Sequence, residues 1–543
     1  MPLDTTPVPL MSHRIAPRPG RIFALATSVF LALGLAACGS EDGGERWDVI
    51  VVTMDTTRAD FLSCYGKREK AKTPTMDAIA AEGVRFENAR SVCSVTPVSH
   101  ASILTGKYQY NHGVRVIGGA GGFYLPDDVP HLGEILKGYS WNTLAVQSAF
   151  PVSSHFGFER GFDRFDDVDT EMENDANGMM QWDWHQFQRR SDVTIDRTIK
   201  YLRDVGDQPY FLWLHLWDPH DMGKLPPDAY IEQNDPDKNW SERWPKSKRW
   251  LRRYEVEVQY MDEQLGRLVD ELKQRGTYDK TLIVLTADHG EGLGEHAWMS
   301  HRLVYEEQLD IPLIIKWPGG PEGKVVSGVA SSVDVLPTVL DAMGIPYDAK
   351  TMDGISLVES IEKGVVPDRV TYADQINGYD TNAGMVLRRP QADFLYAVSD
   401  GDWKLTWRPS YPHNSELFDL KNDPDEEHNR FGAELEVQRR LVRELASRKS
   451  WVTAPIQPLP GHEQSEADLR ALEALGYTGA RDDDGNLILI EFDEDSWTWG
   501  CAEHLDVLVE DRDTPCPTCG APCLLRTVTD VKHLPPPTPM KRR

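Results

Sequence analysis

Two groups of residues in this sequence have the types and spacing of metal ligands, and they point to different chemistry. The first is scattered along the chain. Asp55 closes the run DVIVVTMD, Asp218 closes YFLWLHLWD, and Asp288 closes TLIVLTAD with His289 beside it. Short β-branched runs that end in carboxylates deliver oxygen ligands from strand ends, and two carboxylates with an imidazole suit a hard or borderline divalent cation. Thr96 stands just before SHASILTGK, a helical pattern, so its hydroxyl falls near a positive helix N-terminus. A hydroxyl held there beside a cation is a nucleophile for an anionic ester, because the metal offsets charge and lowers the hydroxyl's pKa. The second group is local. Cys501-Ala-Glu-His504 and Cys516-Pro-Thr-Cys519 are separated by eleven residues. Three thiolates and an imidazole at that spacing make a tetrahedral zinc set, with Cys523 as a spare ligand. Two disulfides among Cys501, Cys516, Cys519 and Cys523 are the alternative.

The elements that must position these residues follow from periodicity. DVIVVTMD, YFLWLHLWD, TLIVLTAD and PLIIKWP read as buried strands of a mainly parallel sheet. Helical patterns intervene: PTMDAIAAEGVRF after Pro74, SDVTIDRTIKYLRDVG from Ser191, and YEVEVQYMDEQLGRLVDELKQRG from Tyr254. Alternating strands and helices predict an α/β layered domain over residues 47–365, with ligands bound beyond the carboxyl ends of the strands. From about Asp368 shorter segments with turn signals predict a smaller α+β subdomain over 366–480, with helices near 433–448 and ending in ALEALGYTGA. An acidic linker (481–498), the Cys/His module (499–528) and a Pro-rich, disordered tail (529–543) complete the reading. With 58 basic and 86 acidic side chains, a net charge of −28 and 40% hydrophobic residues, the chain is an acidic globular protein. Such a surface repels nucleic acid, so an anionic substrate needs a local positive centre.

Taken together, TMDTTRADFLSCYG, VCSVTPVSHASILTGKYQYNHGV, LHLWDPHDM and TADHGEGLGEH with His301 resemble the sulfatase branch of the alkaline-phosphatase superfamily. TPTMDAIAAEGVRFENA, SSVDVLPTVLDAMGI, DGISL, ELFDLKNDPDE and ALEALGYTG extend the resemblance over roughly residues 47–480. It implies an alkaline-phosphatase-like mainly parallel sheet between helices and a metal shell of Asp55, Thr96, Asp288 and His289. His220 and His301 would contact the transferred group or protonate the leaving group, a role a His can serve near neutral pH. Lys107, His112 and His100 match positions near the site, His100 standing where the family places an Arg. A second metal on Asp218, His220 and His301 is the alternative use of those residues. Asp221, Glu291, Glu295 and His296 read as supporting or solvated groups. The segment around Cys501 resembles the short heavy-metal-binding modules of bacterial transport proteins.

The family pattern breaks at the nucleophile. Aligning HASILTG with the family's RASLLTG puts Thr96 at the position converted to formylglycine, with Val98 replacing Pro and Cys93 three residues too early. A branched Cβ cannot become the aldehyde, which leaves a Thr alkoxide. Thr56 also follows Asp55 where a second Asp is common, and His289 stands where many sulfatases have Asn, shifting the cation from Ca toward Mn or Zn. The expected activity is ester hydrolysis on sulfate or, better, phosphate or phosphonate esters of a small molecule, glycan or lipid headgroup. A phosphoglycerol- or phosphoethanolamine-type transferase, or an inactive surface binding protein, are the alternatives.

Arg14, Arg18 and Arg21 precede the apolar run IFALATSVFLALGLA, and Leu35-Ala36-Ala37-Cys38 resembles a bacterial lipobox. This predicts a lipoprotein signal peptide over 1–38, a membrane anchor through lipid on Cys38, a tether over 39–46, and a periplasmic or outer-membrane location.

Overall fold

The computed structural model describes residues 46–67, 72–118, 122–168, 187–220, 226–234, 246–380, 383–448, 465–474, 497–509, 511 and 513–527. The signal peptide with Cys38, nearly all of the 39–46 tether, Asp221, most of the 481–498 linker and the 529–543 tail lie outside the described residues. Among the described residues no helix is long and apolar enough to cross a membrane.

The first strand, β1 (Asp48–Met54), is apolar on both faces because both are covered. Val49 and Val51 point into one core layer, and Ile50, Val52 and Met54 into the other. Each such side chain taken from water contributes roughly 1.5–3 kcal/mol. Helix α1 (Pro74–Ala81) leads to β2 (Val84–Arg90), so VRF is strand, not helix. A Cβ on Gly83 would stand 2.6 Å from the Ile315 carbonyl, and at that close approach the chain leaves the helix for the sheet. Helix α2 (Thr96–Thr105) follows, then β3 (Asn142–Val146), β4 (Arg164–Asp166), the helix Ser191–Val205, β5 (Tyr210–Leu216) and the helix Lys246–Arg275. Strand β6 (Thr281–Thr286) leads to a hairpin of β7 (Gly292–Leu293) and β8 (Met299–Ser300), and then to β9 (Asp310–Ile311), β10 (Leu313–Lys316) and β11 (Lys324–Ser331).

Nine of these strands form one sheet in the order β11-β2-β10-β6-β1-β5-β3-β4, with β9 on β2. It is mainly parallel, as the alternation of strands and helices requires. PLIIKWP is the exception: β10 runs antiparallel to both β6 and β2. The chain between β6 and β10 turns back from the carboxyl end of the sheet without a crossover helix, so it re-enters in the opposite direction.

Strands β12 (Thr371–Ile376), β13 (Phe394–Ser399), β14 (Trp403–Trp407) and β15 (Glu416–Asp419) form a smaller antiparallel sheet. Its residues Tyr396, Val398, Leu405 and Trp407 share a core with Val84, Phe86 and Val326 of the large sheet. A last three-stranded sheet joins β16 (Trp497–Gly500) to β17 (Leu508–Val509) and β18 (Leu524–Thr527).

Candidate active site

Register brings the scattered carboxylates together. Thr53 of β1 lies opposite Thr286 of β6 on one side and His215 of β5 on the other. Asp55 and Asp288 therefore emerge at the same edge, the carboxyl ends of parallel strands. Asp55, Asp288 and His289 each offer a ligand atom within 4.8 Å of the others, and all three side chains are buried.

Each of the three spends one polar atom on the protein and turns another inward. Asp288 Oδ1 accepts the backbone N–H groups of Thr56 at 3.1 Å and His289 at 2.7 Å. Asp55 Oδ2 accepts His215 Nε2–H at 3.2 Å. His289 Nδ1–H donates to the Gly290 carbonyl at 2.9 Å, which leaves Nε2 with its lone pair. Asp55 Oδ1, Asp288 Oδ2 and His289 Nε2 are buried with no hydrogen-bond partner, and so is Thr56 Oγ1 beside them. Burial, with repulsion from Asp288, pushes Asp55 well above the carboxylate range, and burial also raises Asp288. Two facing buried carboxylates and an inward lone pair fit a divalent cation, which supplies the charge they lack. The backbone is strained here too: Thr56 has φ 50°, held by its N–H on Asp288 and by Tyr254 Oη on its carbonyl.

Thr96 is the first residue of α2, not its cap; Val95 is the cap, and no side chain caps the helix. The Thr96 hydroxyl neighbours the Asp55 carboxylate and favours its ionised form. Helix α2 is buried along its whole length although half of it is polar. It tolerates this because its hydroxyls are used internally: Ser99 on Cys93 O, Ser102 on Val98 O and Thr105 on Ala101 O.

The structure corrects the role of His100. Its Nδ1–H donates to Thr96 O at 2.8 Å, and its Nε2 accepts from Thr53 Oγ1 at 3.0 Å. Trp213 Nε1–H in turn donates to Thr53 Oγ1 at 3.1 Å. Both imidazole nitrogens are thus engaged, and burial holds the ring down at about 4, so it is neutral. In place of a cation touching substrate, His100 pins the first turn of α2 to β1.

His215, which sequence reasoning passed over, does for Asp55 what His100 does for Thr96. Its Nδ1 faces the Ser148 N–H at 3.4 Å, which assigns the proton to Nε2 and aims it at Asp55. The signal was present as one histidine in an otherwise apolar buried strand. Gln147, beside it past the end of β3, is fully buried with neither amide atom partnered.

Glu291 and His301 come from the β7–β8 hairpin, where Gly292 pairs with Ser300. His301 Nδ1 lies 3.2 Å from Glu291 Oε2. Its ring stands 4.8 Å from His289 and 5.2 Å from His220, whose own ring stacks on Trp217 at 3.8 Å. Burial lowers His301 to about 3 and His220 well below the usual range, and it raises Glu291 well above its own. Ser300 (φ 114°) and Arg302 (φ 81°) bracket His301 with left-handed backbone, and Arg302 Nη1 bonds to Asp380 at 2.8 Å.

Other expected residues are elsewhere. The Asp218 carboxylate accepts the N–H and hydroxyl of Ser191 at the start of the helix Ser191–Val205, so it is not available to a second metal with His220 and His301. Lys107 follows Gly106, which ends α2 at φ 66° at the opposite end of the helix from Thr96, and its charge acts on His112 and Asp353. His112 Nδ1 accepts Val114 N–H and its Nε2 pairs with Ser102 Oγ at 2.9 Å, a structural use. Glu295 pairs with Arg58 at 2.9 Å, and His296 with Glu307 at 3.0 Å.

The Cys/His residues also converge: Cys501, His504, Cys516 and Cys519 offer ligand atoms within 4.8 Å of one another. Among the described residues Cys64, Cys93, Cys501, Cys516, Cys519 and Cys523 form no disulfide.

Most of the chain is similar to known proteins. The family model described as "Sulfatase" matches residues 48–345, and "N-sulphoglucosamine sulphohydrolase, C-terminal" matches 294–450. The chain is 26% identical over 498 residues to an N-acetylglucosamine-6-O-sulfatase of Bacteroides thetaiotaomicron, covering 74% of this chain and 86% of that relative. A solved structure in complex with its substrate D-glucosamine-2-N,6-O-disulfate superposes with TM-score 0.60 at 21% identity, covering 76% of this chain and 99% of the other. The phosphonate monoester hydrolase of Silicibacter pomeroyi gives TM-score 0.56 at 22% identity, covering 74% and 95%.

Proposed function

Since the chain belongs to the sulfatase family, whose members are metal-dependent ester hydrolases of the alkaline-phosphatase-like superfamily, we propose that it cleaves anionic esters with Thr96 as nucleophile. The observation that carries this is the Thr96 hydroxyl beside the Asp55 carboxylate, next to three inward ligand atoms that make no hydrogen bond. Asp55, Asp288 and His289 would hold a divalent cation, Mn or Zn in preference to Ca because one ligand is an imidazole. When bound, that cation supplies charge neutralisation and a lowered pKa at the hydroxyl.

The protein groups do the rest. Thr96 Oγ1 bonds to the central phosphorus or sulfur as its proton leaves toward Asp55, and the bond to the ester oxygen breaks. His301, oriented by Glu291, and His220, braced on Trp217, donate hydrogen bonds to the transferred group's oxygens, and the leaving oxygen takes its proton from water. Their burial keeps them neutral N–H donors. Water then adds to the transferred group, and Thr96 Oγ1 leaves with its proton restored. His100 and His215 touch no reacting atom in this scheme; they hold Thr96 and Asp55 in place.

Thr96 favours phosphate or phosphonate esters over sulfate esters. Without the aldehyde hydrate, a sulfated Thr is released only by attack at sulfur. The likeness to a phosphonate monoester hydrolase supports that preference, and the relatives named for sulfated sugars support a sugar or headgroup as the alcohol portion. The test is a parallel assay of the wild-type chain and Thr96→Ala on an aryl sulfate, an aryl phosphodiester and an aryl phosphonate monoester, each with Mn, Zn and Ca. Turnover of phosphorus esters that disappears in the variant supports the reading; sulfate turnover that survives it overturns the assignment of Thr96. The Leu-Ala-Ala-Cys38 sequence supports export and lipid anchoring, and unchanged membrane fractionation of Cys38→Ala would remove that part.

A further inference from the structure

We propose that Cys501, His504, Cys516 and Cys519 form a closed structural zinc site, distinct from the catalytic centre, that locks the C-terminal three-stranded sheet onto the helix Leu435–Ser447.

The spacing of the ligand atoms is that of a coordination tetrahedron. Cys501 Sγ lies 3.6 Å from Cys519 Sγ and 3.7 Å from His504 Nδ1, and Cys516 Sγ lies 3.8 Å from His504 Nδ1. Zinc–sulfur bonds of about 2.3 Å give a regular tetrahedron an edge of about 3.8 Å. A disulfide needs sulfurs about 2.05 Å apart. His504 thus presents Nδ1, the nitrogen nearer the backbone, as the Cys-x₂-His loop is too tight to present the far one.

The backbone is folded for the same purpose. In Cys516-Pro-Thr-Cys519-Gly520, the Cys516 carbonyl accepts Gly520 N–H at 2.7 Å, and Cys516 N–H donates to Ala521 O at 2.8 Å. Gly520 takes φ 71°, which closes the knuckle where a side chain would be strained. On the other loop the N–H groups of Glu503 and His504 point at Cys501 Sγ at 3.4 and 3.3 Å, the supporting hydrogen bonds that a bound thiolate needs. Cys523 is buried against Cys501 and Cys516 but outside the four-atom group, so it packs as part of the wall. Three sulfurs and one nitrogen leave no open position, which makes the site structural rather than catalytic.

What the ion would hold is legible in the contacts around it. Ala502 and Glu503 lie between the first two ligands. The Ala502 carbonyl accepts Gln438 Nε2–H at 3.1 Å, and Glu503 forms a paired bridge with Arg439 at 2.6 and 2.7 Å. On the far strand, Leu525 O accepts Trp407 Nε1–H from the smaller antiparallel sheet at 2.8 Å. So few residues bury too little apolar surface to keep their fold alone, and a metal is the usual supplement.

The experiment uses the full chain and the Asp288→Ala variant, which removes a catalytic ligand, with zinc content and the zinc X-ray absorption edge as readouts. The expected result is about one zinc per Asp288→Ala chain in a three-sulfur, one-nitrogen shell. Cys516→Ser/Cys519→Ser should lose that zinc while keeping the catalytic ion, and limited proteolysis should then cut first around residues 497–527. Should the double variant fail to fold, mercurial titration of wild-type thiols with a zinc indicator replaces it, with zinc released as three thiols are blocked. Zinc without sulfur neighbours, or a Cys501–Cys519 disulfide in the mapped peptides, overturns the proposal.

Discussion

The two ligand clusters assemble by opposite routes, and the difference separates catalysis from bracing. Asp55 and Asp288–His289 come from strands 233 residues apart in sequence and meet only because the register of one sheet sets them edge to edge. Their outer atoms are committed to His215, Thr56 and Gly290, and their inner atoms face a nucleophile at a helix N-terminus. The Cys/His ligands lie within nineteen residues, in two tight loops, with Cys519 exposed. A centre made from distant elements inherits the rigidity of the fold and can leave room for substrate; one made from neighbouring loops gives rigidity to a segment that lacks it.

The strongest way to break that contrast is Asp288→Ala. Removing the carboxylate that bridges Thr56 and His289 should take the catalytic ion with it. Loss of a metal's contribution of several kcal/mol corresponds to a fall in kcat/KM of about 10³-fold or more. Thiol-bound zinc in the same sample should be unchanged. Loss of both ions together would mean that the two clusters are not independent.

Next in size is His215→Ala, which deletes the donor to Asp55 Oδ2. Supporting ligands of this kind are worth about 10–100-fold in metal affinity or activity. His215→Gln, which keeps a donor, should recover part of the loss, whereas a purely packing role would leave the two variants alike. Metal titration by calorimetry with kcat/KM decides between them.

His215 also marks the limit of what the sequence disclosed. Strand runs ending in Asp and the Cys/His spacing are local patterns, so the parallel sheet and the groupings of Asp55 with Asp288 and His289, and of Cys501 with His504, Cys516 and Cys519, were legible. A histidine inside an apolar strand looks like any buried residue until a neighbouring strand sets it 3.2 Å from a carboxylate. Asp218 failed in the converse way: it ends a strand as the other two carboxylates do, but the start of a helix claims it. The antiparallel β10 and the internal use of both His100 nitrogens depend on tertiary placement that no local pattern encodes.

Stripping the C-terminal ion should affect stability more than turnover. The helix the module grips ends near Arg448, whose guanidinium lies 4.5, 4.0 and 3.4 Å from the ring centroids of Tyr108, Tyr110 and Tyr372. That stack touches the chain beyond the C-terminal end of α2, far from Thr96. A chelator that competes with thiolate ligands should therefore remove zinc and lower the melting temperature before kcat/KM declines. Parallel loss of zinc and turnover along the chelation time course would show that the brace reaches the catalytic centre.

The smallest effect is expected at Lys107, where sequence alignment and geometry disagree. Thr105, the last residue of α2, stands nine residues or about 14 Å of helix rise from Thr96, and Lys107 follows it past the Gly106 cap. Charge at that range is screened over a Debye length of about 10 Å. Lys107→Ala should then leave kcat/KM within about two-fold of wild type at physiological salt. A loss as large as that of His215→Ala would mean that α2 delivers its far end to substrate as well as its near end, and that the catalytic centre extends over the whole helix.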